Sequence, residues 1–143
     1  MRKKGSLGLT LMELIVTISV LAILLVIAWP KIGQVSSGYR LRAAAREVAT
    51  DLQFARLLAV KENKDFQVSC AGSSYQVIRV TPSPSVVVKT RDFSSDFPGI
   101  TLTSTTVAFN SRGNAASAST ITVSNPWGTR NITVGSTGRV KMQ

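Results

Sequence analysis

The feature that most constrains the fold is a long apolar run near the N-terminus. Residues 9–29 contain one charged residue, Glu13, and three basic residues crowd positions 2–4. At about 1.5 Å per residue, a helix of this length is roughly 32 Å long and matches the hydrocarbon core of a bilayer. Because a basic flank stays on the cytoplasmic side, the pattern predicts a single-pass helix over residues 9–30, with the remainder of the chain outside the cytoplasm.

The apolar run has two simpler interpretations, a secretory signal peptide and a plain N-terminal membrane anchor. A secretory signal peptide has a shorter apolar region of about 7–15 residues and a cleavage site flanked by small residues. Here the run is longer and ends in Trp29 and Pro30, which places an aromatic residue at a membrane interface. An early carboxylate, Glu13, is also atypical of a signal peptide. A plain N-terminal membrane anchor stays open as the alternative.

Glu13 points to a more specific function, because a carboxylate in an apolar segment costs about 2.5–3.5 kcal/mol on insertion scales. The residues around it resemble the type IV prepilin signature and read Gly8-Leu9-Thr10-Leu11-Met12-Glu13. The resemblance implies that residues 1–8 are a leader peptide and that prepilin peptidase cleaves between Gly8 and Leu9, with N-methylation of Leu9. It also implies that Glu13 pairs with the amine of a neighbouring subunit during assembly. Pro30 stands where type IV pilins often have a helix kink.

The chain after the apolar run has the pattern of an amphipathic helix over residues 31–64. Apolar residues recur at spacings of three and four, which places them on one helix face: Leu41, Ala45, Val48, Leu52, Ala55 and Ala59. Pro30 need not end the helix, and Asn63 is a stop signal.

Residues 65–143 read as short strands separated by turns, with no helix between them. Valine and threonine are frequent, and apolar residues alternate with polar ones in several segments. The predicted fold is therefore α+β, with a long N-terminal helix packed on an antiparallel, β-sandwich-like head.

Three stretches of the second half are similar to the GspH/FimT family of minor pilins and pseudopilins. They are Asp51-Leu52-Gln53-Phe54-Ala55-Arg56, Phe109-Asn110-Ser111-Arg112-Gly113 and Gly138-Arg139-Val140. The resemblance implies a type IV pilin-like fold and a subunit near the tip of a type II secretion pseudopilus or a type IV pilus. It also implies residence in the bacterial inner membrane and partners among other pilins, through the N-terminal helix.

The composition argues against catalysis. The chain has no His and one Cys, which excludes a histidine base, an internal disulfide and a cysteine-cluster zinc site. The glycines form no phosphate-binding motif. Cys70 alternates with Phe66 and Val68, so a buried strand thiol is expected rather than a nucleophile. We expect no enzymatic activity, no cofactor and no metal.

The basic charge raises an alternative function. The net charge is +10, and four bases with no acid follow residue 97: Arg112, Arg130, Arg139 and Lys141. Arg130 with Trp127, and Arg139 with Lys141, are candidates for contacting a phosphate backbone and stacking on a base. Gly138-Arg139-Val140-Lys141 also looks like the Gly-Arg-x-Arg motif of FimT-type pilins, which implies DNA binding for uptake. A solvated face, or a surface that meets a neighbouring pilin, explains the same charges.

Overall fold

The computed structural model describes residues 10–143, apart from the side chains of residues 27–35. It contains one helix, α1 (Leu11–Glu62), followed by seven strands. The strands are β1 (Phe66–Gly72), β2 (Ser74–Arg79), β3 (Val86–Asp92), β4 (Thr101–Phe109), β5 (Ser119–Asn125), β6 (Gly128–Val134) and β7 (Val140–Met142). The chain divides into two compact units, one ending at Ser36 and the other covering Ser37–Gln143. The C-terminal half of α1 thus belongs to the same unit as the strands.

The ends of α1 follow from local chemistry. Thr10 precedes the helix, and its hydroxyl accepts the backbone N–H of Glu13 at 3.2 Å, as an N-cap does. At the other end, Asn63 has a positive φ of 51°. The N–H of Lys64 then donates to the carbonyl of Ala59 at 3.2 Å, which closes the last turn. The helix therefore stops where the sequence predicts, and its backbone continues through Pro30.

The seven strands form one antiparallel sheet in the order β3-β2-β1-β4-β5-β6-β7. Register is fixed by the buried side chains: Val68 of β1 lies opposite Val77 of β2 and Val107 of β4. All three valines are buried on one face of the sheet. The α+β class and the antiparallel head are confirmed, and the layer packed against the sheet is α1 itself.

The core lies between α1 and this face of the sheet. All six residues of the predicted apolar stripe of α1 are buried, which confirms the amphipathic pattern. Many of them are alanines, so the helix backbone approaches the sheet closely. The strands and the loop after β3 supply the larger buried side chains, each of which contributes about 1.5–3 kcal/mol on burial: Phe66, Tyr75, Phe93, Phe109, Ile121 and Ile132.

Candidate functional site

The N-terminal unit presents an apolar helix surface with one carboxylate. Every described side chain from Thr10 to Val26 is exposed, including that of Glu13. The hydroxyls of Thr17 and Ser19 donate to backbone carbonyls of their own helix, at 2.9 and 2.8 Å. These two hydroxyls are thus satisfied within the helix. Glu13 is the one charged residue from residue 10 to 26.

Glu13 occupies the first turn of α1. The backbone N–H groups of a helix N-terminus carry partial positive charge, which favours a carboxylate there. Thr10 and Glu13 have the spacing of a capping box, and the Thr10 hydroxyl makes its half of that motif. No hydrogen bond or ion pair joins the Glu13 side chain to any residue that the structure describes.

Two further predicted sites include residues or side chains that the structure does not describe. Gly8 and Leu9, the predicted cleavage site, lie outside the described residues. Pro30 lies within α1, although its side chain is not described. Within the described residues, no helix combines the length and hydropathy expected of a membrane span.

In the second unit, the Asp51–Arg56 stretch attaches α1 to the sheet. Asp51 is buried and accepts a hydrogen bond from the Tyr75 hydroxyl at 2.5 Å. Its carboxylate also lies 2.7 Å from the Lys89 ammonium of β3. Burial, together with the hydrogen bond to Asp51, raises the pKa of the Tyr75 phenol. The aspartate of this motif therefore connects α1 to β2 and β3.

Arg56, at the other end of that stretch, holds two glycine turns together. Its Nε donates to the carbonyl of Gly113 at 2.9 Å, and Nη2 lies 3.4 Å from the carbonyl of Thr137. Gly113 and Gly138 both have positive φ, 79° and 77°. A Cβ at Gly138 would lie 2.0 Å from the Gly113 oxygen and 2.8 Å from Arg56 Nε. The three stretches that resemble the GspH/FimT family thus meet at one place, and only glycine fits there.

The remaining acids of α1 beyond Ser37 pair with the sheet. Glu47 lies 2.6 Å from Nε of Arg91, and Glu62 lies 2.9 Å from Nε of Arg79. Arg91 also pairs with Asp96 at 2.7 Å. These pairs, like that of Asp51, involve β2, β3 or the loop after β3. The negative charges on the flank of α1 that faces β2 and β3 are therefore neutralised by bases of the sheet.

The four residues predicted to contact DNA lie in separate places. Trp127 is 60% exposed at the turn between β5 and β6. Arg130 shares its strand face with the buried Ile132, on the side that carries α1. Lys141 lies opposite Thr133, whose side chain is on the other face, and Arg139 precedes β7 in a loop. Thr133 is six residues beyond Trp127, or about 20 Å along the strand.

Sequence reasoning missed a group of three arginines. Arg42 and Arg46 of α1, one turn apart, line a cavity with Arg130 of β6. The sequence does place Arg42 and Arg46 on one helix face. It gives no sign that Arg130 lies beside them, because that depends on how β6 packs.

Comparison with solved structures establishes the type IV pilin-like fold. The minor pilin FimU of Pseudomonas aeruginosa superposes with a TM-score of 0.58 at 19% identity, over 71% of this chain and 91% of FimU. The minor pseudopilin EpsH of the Vibrio cholerae type 2 secretion system gives a TM-score of 0.61 at 12% identity. That match covers 73% of this chain and 96% of EpsH. No curated protein matches the sequence significantly.

The family follows from the sequence. The family model of type II transport protein GspH matches residues 44–138, which include the Asp51, Arg56 and glycine positions described above. The model of the prokaryotic N-terminal methylation motif matches residues 3–29. The chain belongs to the GspH family of minor pilins and pseudopilins. The members of this family are structural components of pili and pseudopili that assemble with other pilins, and the methylation motif indicates a membrane-anchored pilin.

Proposed function

We propose that this chain is a minor filament subunit that is made as an inner-membrane precursor and joins a pseudopilus or pilus after cleavage between Gly8 and Leu9. One observation carries the proposal: the N-terminal helix exposes apolar side chains on all sides around one carboxylate. A helix that is apolar all round requires lipid or other helices to cover it. The methylation motif over residues 3–29 supports this assignment of the segment.

Apolar packing supplies the driving force for assembly. Large side chains from Leu11 to Val26 are 51–77% exposed, and burying each one fully contributes about 1.5–3 kcal/mol. Lipid covers them equally well before assembly, so packing alone does not select a register. In this proposal Glu13 selects it, because a carboxylate among apolar helices requires a cation. Cleavage provides that cation as the new amine of Leu9 on a neighbouring subunit.

The basic N-terminal residues support the orientation that we propose in the membrane, and the solved neighbours support the position that we propose in the filament. The basic residues at positions 2–4 hold the leader in the cytoplasm, so the head lies on the extracytoplasmic side. The solved neighbours FimU and EpsH are both described as minor subunits. We assign this chain a position near the filament tip, where it initiates or caps assembly. Neither the family match nor these neighbours specifically support DNA binding, which is not part of the proposal.

Processing is tested by mass spectrometry of the full chain isolated from membranes. In cells with active prepilin peptidase, the N-terminal peptide should begin with N-methylated Leu9. Gly8→Val should block cleavage, whereas Gly5→Val should not, because a cut after Gly5 puts Glu13 out of register. A chain that still begins at Met1 in such cells contradicts the proposal.

Assembly is tested by the amount of the chain in purified filament fractions. Glu13→Gln removes the charge and should be processed normally but lost from the filaments. Thr17→Ala is the matched control in the same helix, since the Thr17 hydroxyl bonds only to its own backbone. Equal incorporation of Glu13→Gln and the native chain would refute the role given to this carboxylate.

A further inference from the structure

The two flanks of α1 within the second unit have opposite electrostatic character. The flank facing β2 and β3 carries the acids Glu47, Asp51 and Glu62, and each pairs with a base of the sheet. The flank facing β6 and β7 carries bases and no acid. The first flank is neutral, whereas the second has uncompensated positive charge.

The positive charge converges on one cavity. Arg42 and Arg46 of α1 and Arg130 of β6 line a space of about 240 Å³, together with Met142 and Gln143. No hydrogen bond or ion pair of the described residues engages any of the three guanidinium groups. Like charges around one cavity repel each other unless an anion lies between them. A guanidinium offers a planar set of donors that matches a carboxylate or phosphate in two-pronged geometry.

A second cavity lies farther along α1 and β7. It measures about 380 Å³ and lies between Leu57 and Val60 of α1 and Val140 of β7, with Arg139 beside them. Leu57 and Val60 are 64% and 51% exposed. β7 is an edge strand, with β6 on one side and no described strand on the other. The helix and this edge thus form a groove with three arginines at one end and, at the other, an apolar wall flanked by Arg56 and Arg139.

We propose that this groove docks an acidic segment of a different filament subunit, whose carboxylates enter the cavity formed by Arg42, Arg46 and Arg130. The inference rests on the proposed function, because it assigns a surface to one of the subunit contacts that a filament requires. Arginine and methionine are enriched in protein interfaces, and Met142 lies beside the arginines.

A second copy of this chain matches the charge of the groove poorly. All six acids beyond Ser37 already have partners: Glu47, Asp51, Glu62 and Asp96 form ion pairs, Asp65 accepts the N–H of Ser111, and Asp92 accepts that of Ser94. The head also carries more Lys and Arg than Asp and Glu, so a second copy brings net positive charge to a basic cavity. A subunit with a different, acidic sequence gives the better charge match.

The walls of the groove favour a protein segment over nucleic acid. Single-stranded nucleic acid is bound by basic grooves that also provide aromatic rings for base stacking. No aromatic side chain lines either cavity, and the uncharged lining side chains are aliphatic groups, one thioether and the amides of Gln53 and Gln143. Such walls suit the apolar side chains of an extended peptide, and the free edge of β7 can pair with its backbone.

The test measures fluorescence anisotropy of labelled probes on the full-length chain in non-ionic detergent. The probes are a short peptide of alternating Glu and Ala, the same peptide with Gln for Glu, and a single-stranded oligothymidylate of equal charge. The Glu peptide should bind, and Arg46→Gln and Arg130→Gln should each weaken it about 3- to 10-fold. Arg40→Gln is the matched control: Arg40 is exposed on the same helix and lines neither cavity.

Three results would overturn the inference. They are no binding of the Glu peptide, equal weakening by Arg40→Gln and Arg46→Gln, and arginine-dependent binding of the oligothymidylate in place of the peptide. Arg46 is exposed and its side chain has no described partner, so Arg46→Gln should have the same melting temperature as the native chain. If Arg130→Gln fails to fold, the binding measured with Arg46→Gln tests the inference. The assay does not involve cleavage or filament incorporation, so its failure is distinguishable from failure of the proposed function.

Discussion

Gly138→Ala tests whether the close contact of the two glycine turns holds the head together. Gly138 has a φ of 77°, and an alanine in this left-handed region costs about 1–2 kcal/mol. The added Cβ would also lie 2.0 Å from the carbonyl oxygen of Gly113, so the two turns must separate. Separation breaks the hydrogen bond from Arg56 to that carbonyl, which contributes about 1.5–3 kcal/mol because the donor is charged. The expected loss is about 2.5–5 kcal/mol.

Gly72→Ala is the matched control for the backbone cost. Gly72 also has a positive φ, 59°, but no atom lies within 4 Å of the added Cβ. Its substitution should cost only about 1–2 kcal/mol. Both variants are compared by urea unfolding of the full chain in detergent, with the folded fraction read by pulse proteolysis. If Gly138→Ala costs no more than Gly72→Ala, the contact between the turns does not stabilise the head, and the reasoning fails.

Two further predictions concern buried polar groups. Tyr75→Phe removes the hydrogen bond to the buried Asp51 and should lower the free energy of unfolding by about 1–3 kcal/mol, whereas Tyr39→Phe, at an exposed position, should leave it unchanged. Burial raises the pKa of the Cys70 thiol to about 11 from 9.0, so the unfolded chain loses this proton at lower pH than the folded chain. The contribution of this thiol to stability is fully present below pH 9.0 and is lost as pH rises from about 9 to about 11, by up to about 1.4 kcal/mol per pH unit. Cys70→Ala should remove this slope, which urea unfolding at stepped pH measures; an unchanged slope would show that Cys70 does not cause it.

Several elements follow from local sequence alone. The apolar face of α1 repeats every three or four residues, so its buried side could be read without the sheet. Asn63 marks the helix end because its side chain tolerates a positive φ. The alternation of Phe66, Val68 and Cys70 likewise predicts which face of β1 is buried, and all three are buried. Each of these signals depends only on neighbours along the chain.

The surroundings of the basic residues in the C-terminal segment could not be predicted from the local sequence. Alternation correctly separates Lys141 from Met142 on β7, but Arg130 lies on the face opposite to Lys141, beside α1. Side-chain direction in β6 is fixed by burial of Ile132 against the helix. Two residues that share a charge and a stretch of chain therefore face different surroundings.

By itself the sequence determined the class of the protein: a methylation motif, an apolar helix with one carboxylate, and a β-rich head with family motifs. Only the tertiary structure decided what those motifs do. Arg56 and Gly113 are 57 residues apart, and Arg56 and Thr137 are 81 apart, yet one guanidinium holds both turns. Helix and strand periodicity come from backbone geometry within a segment, whereas contacts between distant segments depend on the order in which strands pair and on the one packing that buries the whole core.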